Sequence, residues 1–337
     1  MGHRAGGRRA QARLPRDRGL SKHKADVGPL RFGAGRECTF PASLAAATKT
    51  DYDWLMGCSG AAFATGIDAA GWDPLAASPR DPATRARAAT AAGVRLDELV
   101  PPFDDELGEL VTLRIREAID DGLPPLVRGA VGPPEYGVIV GYTERPDRGD
   151  RLLVRTFFDK GDAPSEIDRE AFVDDDHGTL LFLDRVPVMD RAVLAAAGLD
   201  DANDGAADSS TAMQTWIAEL RDDTRWSDAK HTATAAFADH AMRQLLADKR
   251  RAAANFLRGL RSVFATLPGS DLLRAAESYG YVADAAEKFG IGPFNAATAT
   301  RFGDGGQRRA WANLLEGALE HEHDAHDAIR SARASIR

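Results

Sequence analysis

Histidine is missing from the whole central stretch of this 337-residue chain, with none between His23 and His177. Cysteine is nearly absent too: Cys38 and Cys58 are the only two, which is no disulfide framework and points to reduced thiols in a cytosol. No apolar run approaches the roughly 18–20 residues that span a bilayer. The first residues are basic and contain no apolar segment of the kind a secretory signal needs, so a cytoplasmic location without membrane contact is expected. There is no Walker loop, no dinucleotide fingerprint and no zinc-ligand spacing, which removes the most recognisable nucleotide, redox and zinc enzymes and leaves no cofactor to expect. What remains is 44% hydrophobic and 28% charged, the balance of a globular chain rather than a disordered or membrane one.

The charge is unevenly placed. Residues 1–31 carry nine Lys or Arg against Asp17 and Asp26, a local +7, so the formal −8 of the whole leaves −15 for residues 32–337. A basic arm on an acidic body can touch nucleic acid or anionic lipid. The plainer expectation is a disordered tail over residues 1–31, with no nucleic-acid binding by the acidic folded part.

Beyond the tail the pattern is helical, then β, then helical again. Pro41 fits only the first turn of a helix, so a helix is expected just beyond Cys38. Residues 51–57 read as a short helix with Thr50 as its cap and Gly57 at its end, and residues 61–65 as the next helix, capped by Ser59. Residues 79–92 and 104–121 follow as helices, the second with an apolar stripe of Leu107, Leu110, Leu113 and Ile119. Residues 125–131, 136–142, 152–158 and 179–183 are short β-type runs between Gly and Pro breaks, as in an antiparallel sheet. From about Asp190 no strand is expected. Residues 200–208 read as an acidic loop, Ser209 or Ser210 caps the next helix, and residues 228–267, 270–289 and 307–336 make long amphipathic helices of a bundle. The expected architecture is α+β over residues 32–188 followed by an all-α bundle over residues 189–337.

The chemistry-bearing candidate is Cys38. A thiol at a helix N-terminus sits at the positive end of the macrodipole, which favours thiolate. It still needs a base and a group to orient that base. Cys58, in the turn Gly57-Cys58-Ser59-Gly60, reads instead as a small residue packed under a turn.

The stretches Glu37-Cys38-Thr39-Phe40, Leu55 to Phe63 and Val138-Ile139-Val140-Gly141-Tyr142 resemble the family of proteins similar to butirosin biosynthesis protein H at its N-terminus. Residues 215–220 and 250–257 resemble that family's trailing helices. The family in turn resembles bacteriocin-leader peptidases of papain-like fold. The resemblance implies a papain-like N-terminal domain with Cys38 as nucleophile, a base on the strand ending in Gly141-Tyr142, and an orienting acid after the next strand. Aligned on Gly141-Tyr142, the base position holds Glu135 where the family has His, and the orienting position falls near Asp159. The supporting Gln expected upstream of the cysteine is replaced by the stretch Leu30-Arg31-Phe32-Gly33.

A glutamate ionising near about pH 4.3 is a weak base for a thiol near about 8.5, and its charge beside the thiol opposes activation. The expectation is therefore a catalytically degenerate member that binds a peptide, an acyl-carrier protein or a small-molecule acceptor. The alternative is a thiol-dependent acyl or peptidyl transferase or hydrolase using Cys38, Glu135 and Asp159. His177, in an acidic turn, is a further candidate base.

A third possibility rests on Glu320 to Asp327, where Glu320 and His323 have the spacing of di-iron bundles and His326 lies nearby. The only similar pair is Asp228 with His231, at a helix start, so a solvated helix face is the simpler reading and no metal site is assigned. Trp72, Trp216 and Trp226 read as core or inter-domain contacts rather than substrate platforms.

Overall fold

The switch from helical to β structure falls where the apolar runs shorten and alternate. The computed structural model describes residues 22–79, 81–143, 150–169, 178–264, 269–289 and 294–336, and these form an α+β chain. The first part holds helices α1 (Thr39–Thr48), α2 (Tyr52–Cys58), α3 (Pro82–Ala91) and α4 (Asp105–Asp120). Its strands are β1 (Lys22–Lys24), β2 (Val94–Leu99), β3 (Leu126–Arg128), β4 (Tyr136–Thr143), β5 (Arg151–Arg155), β6 (Ser165–Asp168) and β7 (Thr179–Arg185). Helices α5 (Arg191–Asp204), α6 (Ala206–Arg221), α7 (Ala229–Gly259), α8 (Gly269–Lys288), α9 (Ala296–Gly303) and α10 (Gly305–Ala334) follow, with no strand among the described residues beyond β7.

The sheet is antiparallel in the order β2-β7-β3-β4-β5-β6, and β1 pairs with the end of β4 that β3 leaves open. Strand side chains point alternately to its two faces. Leu126, Val138, Val140, Leu153 and Leu181 face the main core, whereas Val127, Ile139, Val154 and Leu180 face α4. A register shift between Ile139 and Gly141 reverses the parity of β4, so Tyr142 joins Ile139 on the α4 side.

Several local expectations change. Lys22, His23 and Lys24 pair with Thr143, Tyr142 and Gly141, and Val27 and Leu30 are buried, so the expected tail gives way to folded structure by Lys22. Residues 1–21 lie outside the described residues. Asp51, not Thr50, caps α2 by accepting from the Trp54 N–H at 2.8 Å. On α4, Leu107, Leu110 and Leu113 are exposed; the buried stripe is Val111, Ile115 and Ile119, whose four-residue spacing tracks one helix face more closely. The expected acidic loop over residues 200–208 is helical, divided only at Gly205 between α5 and α6. Ser209 is therefore inside α6, where its hydroxyl donates to the Phe63 carbonyl at 3.0 Å. Residues 61–65, expected as a helix, form a turn and an irregular segment, and β2 and β6 lie where the sequence pattern predicts no strand.

One continuous set of buried apolar side chains runs from Val27, across the inner sheet face, to Ala332 on α10. Close backbone approach helps to make it continuous. A side chain at Gly57 on α2 would overlap the Phe256 ring of α7, and one at Gly198 on α5 would overlap the Gly57 carbonyl. The long helix α7 is the axis of this arrangement, and it buries five charged residues: Asp239, Arg243, Asp248, Lys249 and Arg250. Buried charge is tolerated only where it is paired. Arg250 meets Glu322 of α10 in a bidentate pair through Nε and Nη2, and its Nη1 donates to the Ala62 carbonyl at 2.6 Å. Lys249 donates to the carbonyls of Ala64 at 3.1 Å and of Ala77. Asp248 reaches the start of α1. Three successive residues of one helix thus hold three loops of the α+β part.

Candidate functional site

Cys38 is the N-cap of α1, as its position before Thr39-Phe40-Pro41 implies. The residues around it come from the far end of the sequence. Asp248 accepts the Glu37 N–H at 3.0 Å and the Tyr52 hydroxyl at 2.5 Å, and the Cys38 N–H donates to the same tyrosine oxygen at 3.4 Å. Cys38 has no exposed surface. Burial is the largest influence on its thiol and pushes it up, away from thiolate; the positive charge of Lys249 pulls the other way and is outweighed. Burial also lifts Asp248 to about 6 against the bonds from Tyr52 and Glu37 that favour its charge. The same desolvation raises Tyr52 and lowers Lys249. This is a buried polar cluster around a neutral thiol.

Glu135 and Asp159 have other duties. Glu135 Oε2 accepts from Thr39 Oγ1 at 2.6 Å, and the same hydroxyl accepts the Tyr136 N–H at 3.4 Å, tying the start of β4 to the first turn of α1. Phe40 and Tyr136 reinforce this edge to face, with centroids 5.1 Å apart. Asp159 forms an ion pair with Arg155 at 3.4 Å and accepts from Ser165 at 2.9 Å and Thr156 at 3.3 Å, with both charged side chains almost fully buried. Glu135 is thus bonded to the residue that follows the cysteine, and Asp159 works as the anchor of the turn after β5. His177 falls outside the described residues.

Alongside lies a cleft of about 860 Å³. One wall comes from the α+β part, with Phe32, Glu37, Glu135 and Phe158; the other comes from α7 and the segment before α9, with Phe237, His240, Gln244 and Phe294. Such a volume suits a small organic molecule. Two aromatic pairs frame it: Phe32 with Phe158 at 5.8 Å, and Phe237 with Phe294 at 5.3 Å. Glu37, next to Cys38 in sequence, is 8% exposed. Its Oε1 accepts the Gly33 N–H at 2.7 Å, while Oε2 is buried with no hydrogen-bond partner among the described residues. Burial, and then the charge of Asp248, raise its carboxyl.

The other candidates are placed as follows. Cys58 is buried at the end of α2, with its thiol raised by burial. Trp72, Trp216 and Trp226 are core: Trp72 packs on Trp226 at 5.5 Å, and Trp216 on Trp311 at 5.9 Å. The run from Glu320 to Asp327 is divided between two faces of α10. Glu322 and His326 are buried towards Arg250 and Tyr279, while His321 stacks on Tyr281 and His323 meets Ser210 at 3.1 Å. Asp228 caps α7. Among the described residues no group of three or more His, Cys, Asp or Glu is placed to hold a metal ion. No described helix is long and apolar enough to cross a membrane.

Sequence reasoning missed Tyr52, Asp248, Lys249, His240 and the role of Glu37. One signal was available. Asp248-Lys249-Arg250 stands between Leu245-Leu246-Ala247 and Ala252-Ala253-Ala254, and a helix flanked by apolar residues on all sides is an interior helix whose charges need partners. No family model matches the chain, and no curated protein matches it.

Proposed function

We propose that this chain is a catalytically degenerate relative of the papain-like, butirosin biosynthesis protein H type, and that it binds a small molecule in the cleft beside Cys38. One observation carries the reading: the cysteine in the nucleophile's position is sealed in the core as a neutral thiol, while a ligand-sized cleft opens next to it. A nucleophile has to reach its substrate and spend time as thiolate. Cys38 is built for neither. The glutamate at the base position is hydrogen-bonded to Thr39, a use that stiffens the joint between α1 and β4. The order of elements, a cysteine-led helix followed by an antiparallel sheet, supports the fold assignment. Among the partners expected from the resemblance, a small molecule fits the volume better than a peptide or an acyl-carrier protein.

The transferase or hydrolase reading keeps one point in its favour, the seat of Cys38 at the N-cap of a ten-residue helix. Alkylation separates the two. The native protein is treated with iodoacetamide over a range of pH, and Cys38 and Cys58 are read individually by mass spectrometry. Binding without catalysis predicts that both react only on unfolding. Rapid modification of Cys38 alone, with an apparent pKa well below about 8.5, would overturn it.

A further inference from the structure

Four carboxyl and imidazole groups stand among the residues that line the cleft: Glu37, Glu135, Asp73 and His240. No Lys or Arg stands among the described residues that line it. A carboxylate or phosphate ligand would find no cationic side chain among these lining residues to hold it, which is costly in a partly enclosed site. The remaining surface is largely apolar, with prolines, leucines and one pair of Phe rings from each part of the chain. The decisive group is Glu37. It is more than nine-tenths buried, one of its oxygens is committed to Gly33, and the other has no partner among the described residues. The backbone N–H groups of Gly35 and Arg36 favour its charge without making a hydrogen bond to that oxygen. Buried acceptors are ordinarily satisfied, and an unsatisfied one in a residue that lines the cleft marks the place where a ligand donor belongs. Asp248 does not fill that role. It is itself an acceptor, already bonded to Tyr52 and to the Glu37 backbone.

Resting on the reading of the cleft as a binding site, the geometry points to a ligand that is an amine on an apolar or aromatic body, its ammonium held by Glu37 and its body packed between the Phe32–Phe158 and Phe237–Phe294 pairs. An ammonium supplies the missing donor and the opposite charge together, and a charge-assisted hydrogen bond is about twice as strong as a neutral one. The rings contribute both apolar burial and attraction of their faces for a cation. Glu135 and Asp73 add negative potential, which steers a cation to the cleft and rejects anions.

The test uses the full chain and three matched probes observed by fluorine NMR: para-trifluoromethyl-phenethylamine, the alcohol of the same skeleton and the corresponding carboxylate. The amine is expected to bind about tenfold or more tighter than the alcohol, and the carboxylate more weakly than either. In Glu37→Gln the amine should fall to the level of the alcohol while the alcohol is unchanged, with folding checked by thermal unfolding. In the unaltered protein the Gly33 amide, which donates to Glu37, should shift on adding the amine and stay in place with the alcohol, so the result does not depend on the variant folding. If the alcohol binds as tightly as the amine, or if Glu37→Gln leaves the preference intact, the amine assignment falls and the cleft reading stands. If none of the three binds, both fall.

Discussion

Helix α7 carries two buried aspartates nine residues apart, and they have opposite characters. Asp239 is complete. It accepts from the Trp216 indole at 2.8 Å, the Trp311 indole at 3.0 Å and Arg243 at 2.6 Å, so a cation and two neutral donors surround one carboxylate. Asp248 lies instead against a second carboxylate, Glu37, and a tyrosine and a backbone N–H stand where the first site has an arginine. Both aspartates are raised by burial, but only the first has an adjacent guanidinium to oppose it. Full pairing is what a structural node requires. A node left short of a donor, at the edge of a cleft, is what a binding site requires.

The difference can be broken most severely at the complete node. Asp239→Ala leaves Arg243 without its carboxylate and two indole N–H groups without their acceptor. A loss of about 3–5 kcal/mol in urea unfolding is expected, as for other broken buried pairs. Glu322→Ala, which strips Arg250 of its bidentate partner, should cost slightly less, about 3 kcal/mol, because the bonds from Arg250 to the Ala62 carbonyl and to Thr65 survive. A loss below about 1 kcal/mol in either variant would mean that solvent reaches the node and that its completeness is not what holds the helices.

The incomplete node should answer to pH. The folded value of Asp248 is about 6 against 3.8 for the free side chain. A raised folded value means that the stabilising contribution is fully present below about 3.8 and is lost as pH rises through about 6. The stability of the wild type relative to Asp248→Asn, which cannot ionise, should therefore decline across that window, by an amount on the order of 3 kcal/mol. A flat difference in chemical unfolding across the window would remove the claim that desolvation governs this carboxylate. Asp239→Asn offers no matching window test, since the loss of its ion pair with Arg243 dominates.

These contrasts also mark how far the sequence could be read. Strands β3, β4, β5 and β7 were visible because each is a short apolar run between Gly or Pro breaks. Strand β2 was not: Val94-Arg95-Leu96-Asp97-Glu98-Leu99 is an edge strand that pairs, among the described residues, with β7 alone, and its charges resemble those of a loop. On α4 the leucines at 107, 110 and 113 drew attention by size, yet the buried face belongs to Val111, Ile115 and Ile119, because sheet packing and not residue size decides which stripe turns inward. The candidate site was legible only in part. Cys38 at a helix start could be read from Pro41, but its neighbours Tyr52, Asp248 and Lys249 are spread over 211 residues of chain. Local spacing carries no trace of such a meeting. A run of Asp-Lys-Arg on a helix reads as a solvated face until the apolar residues on both sides are weighed against it.

The smallest expected effect has the opposite sign and sharpens the comparison most. Glu37→Gln keeps an acceptor for the Gly33 N–H, removes a charge that burial and Asp248 oppose more than the backbone N–H groups of Gly33, Gly35 and Arg36 favour it, and supplies an amide donor next to Asp248. Stability at neutral pH should rise by about 1 kcal/mol, whereas every change at the complete node lowers it. Proteins tolerate such a locally unfavourable group where function needs it and lose function when it is relieved. A fall in stability of similar size would show that the Glu37 carboxylate is already satisfied in solution. It would then be a third structural node on the same helix junction, and the contrast between the two aspartates of α7 would reduce to a difference in burial.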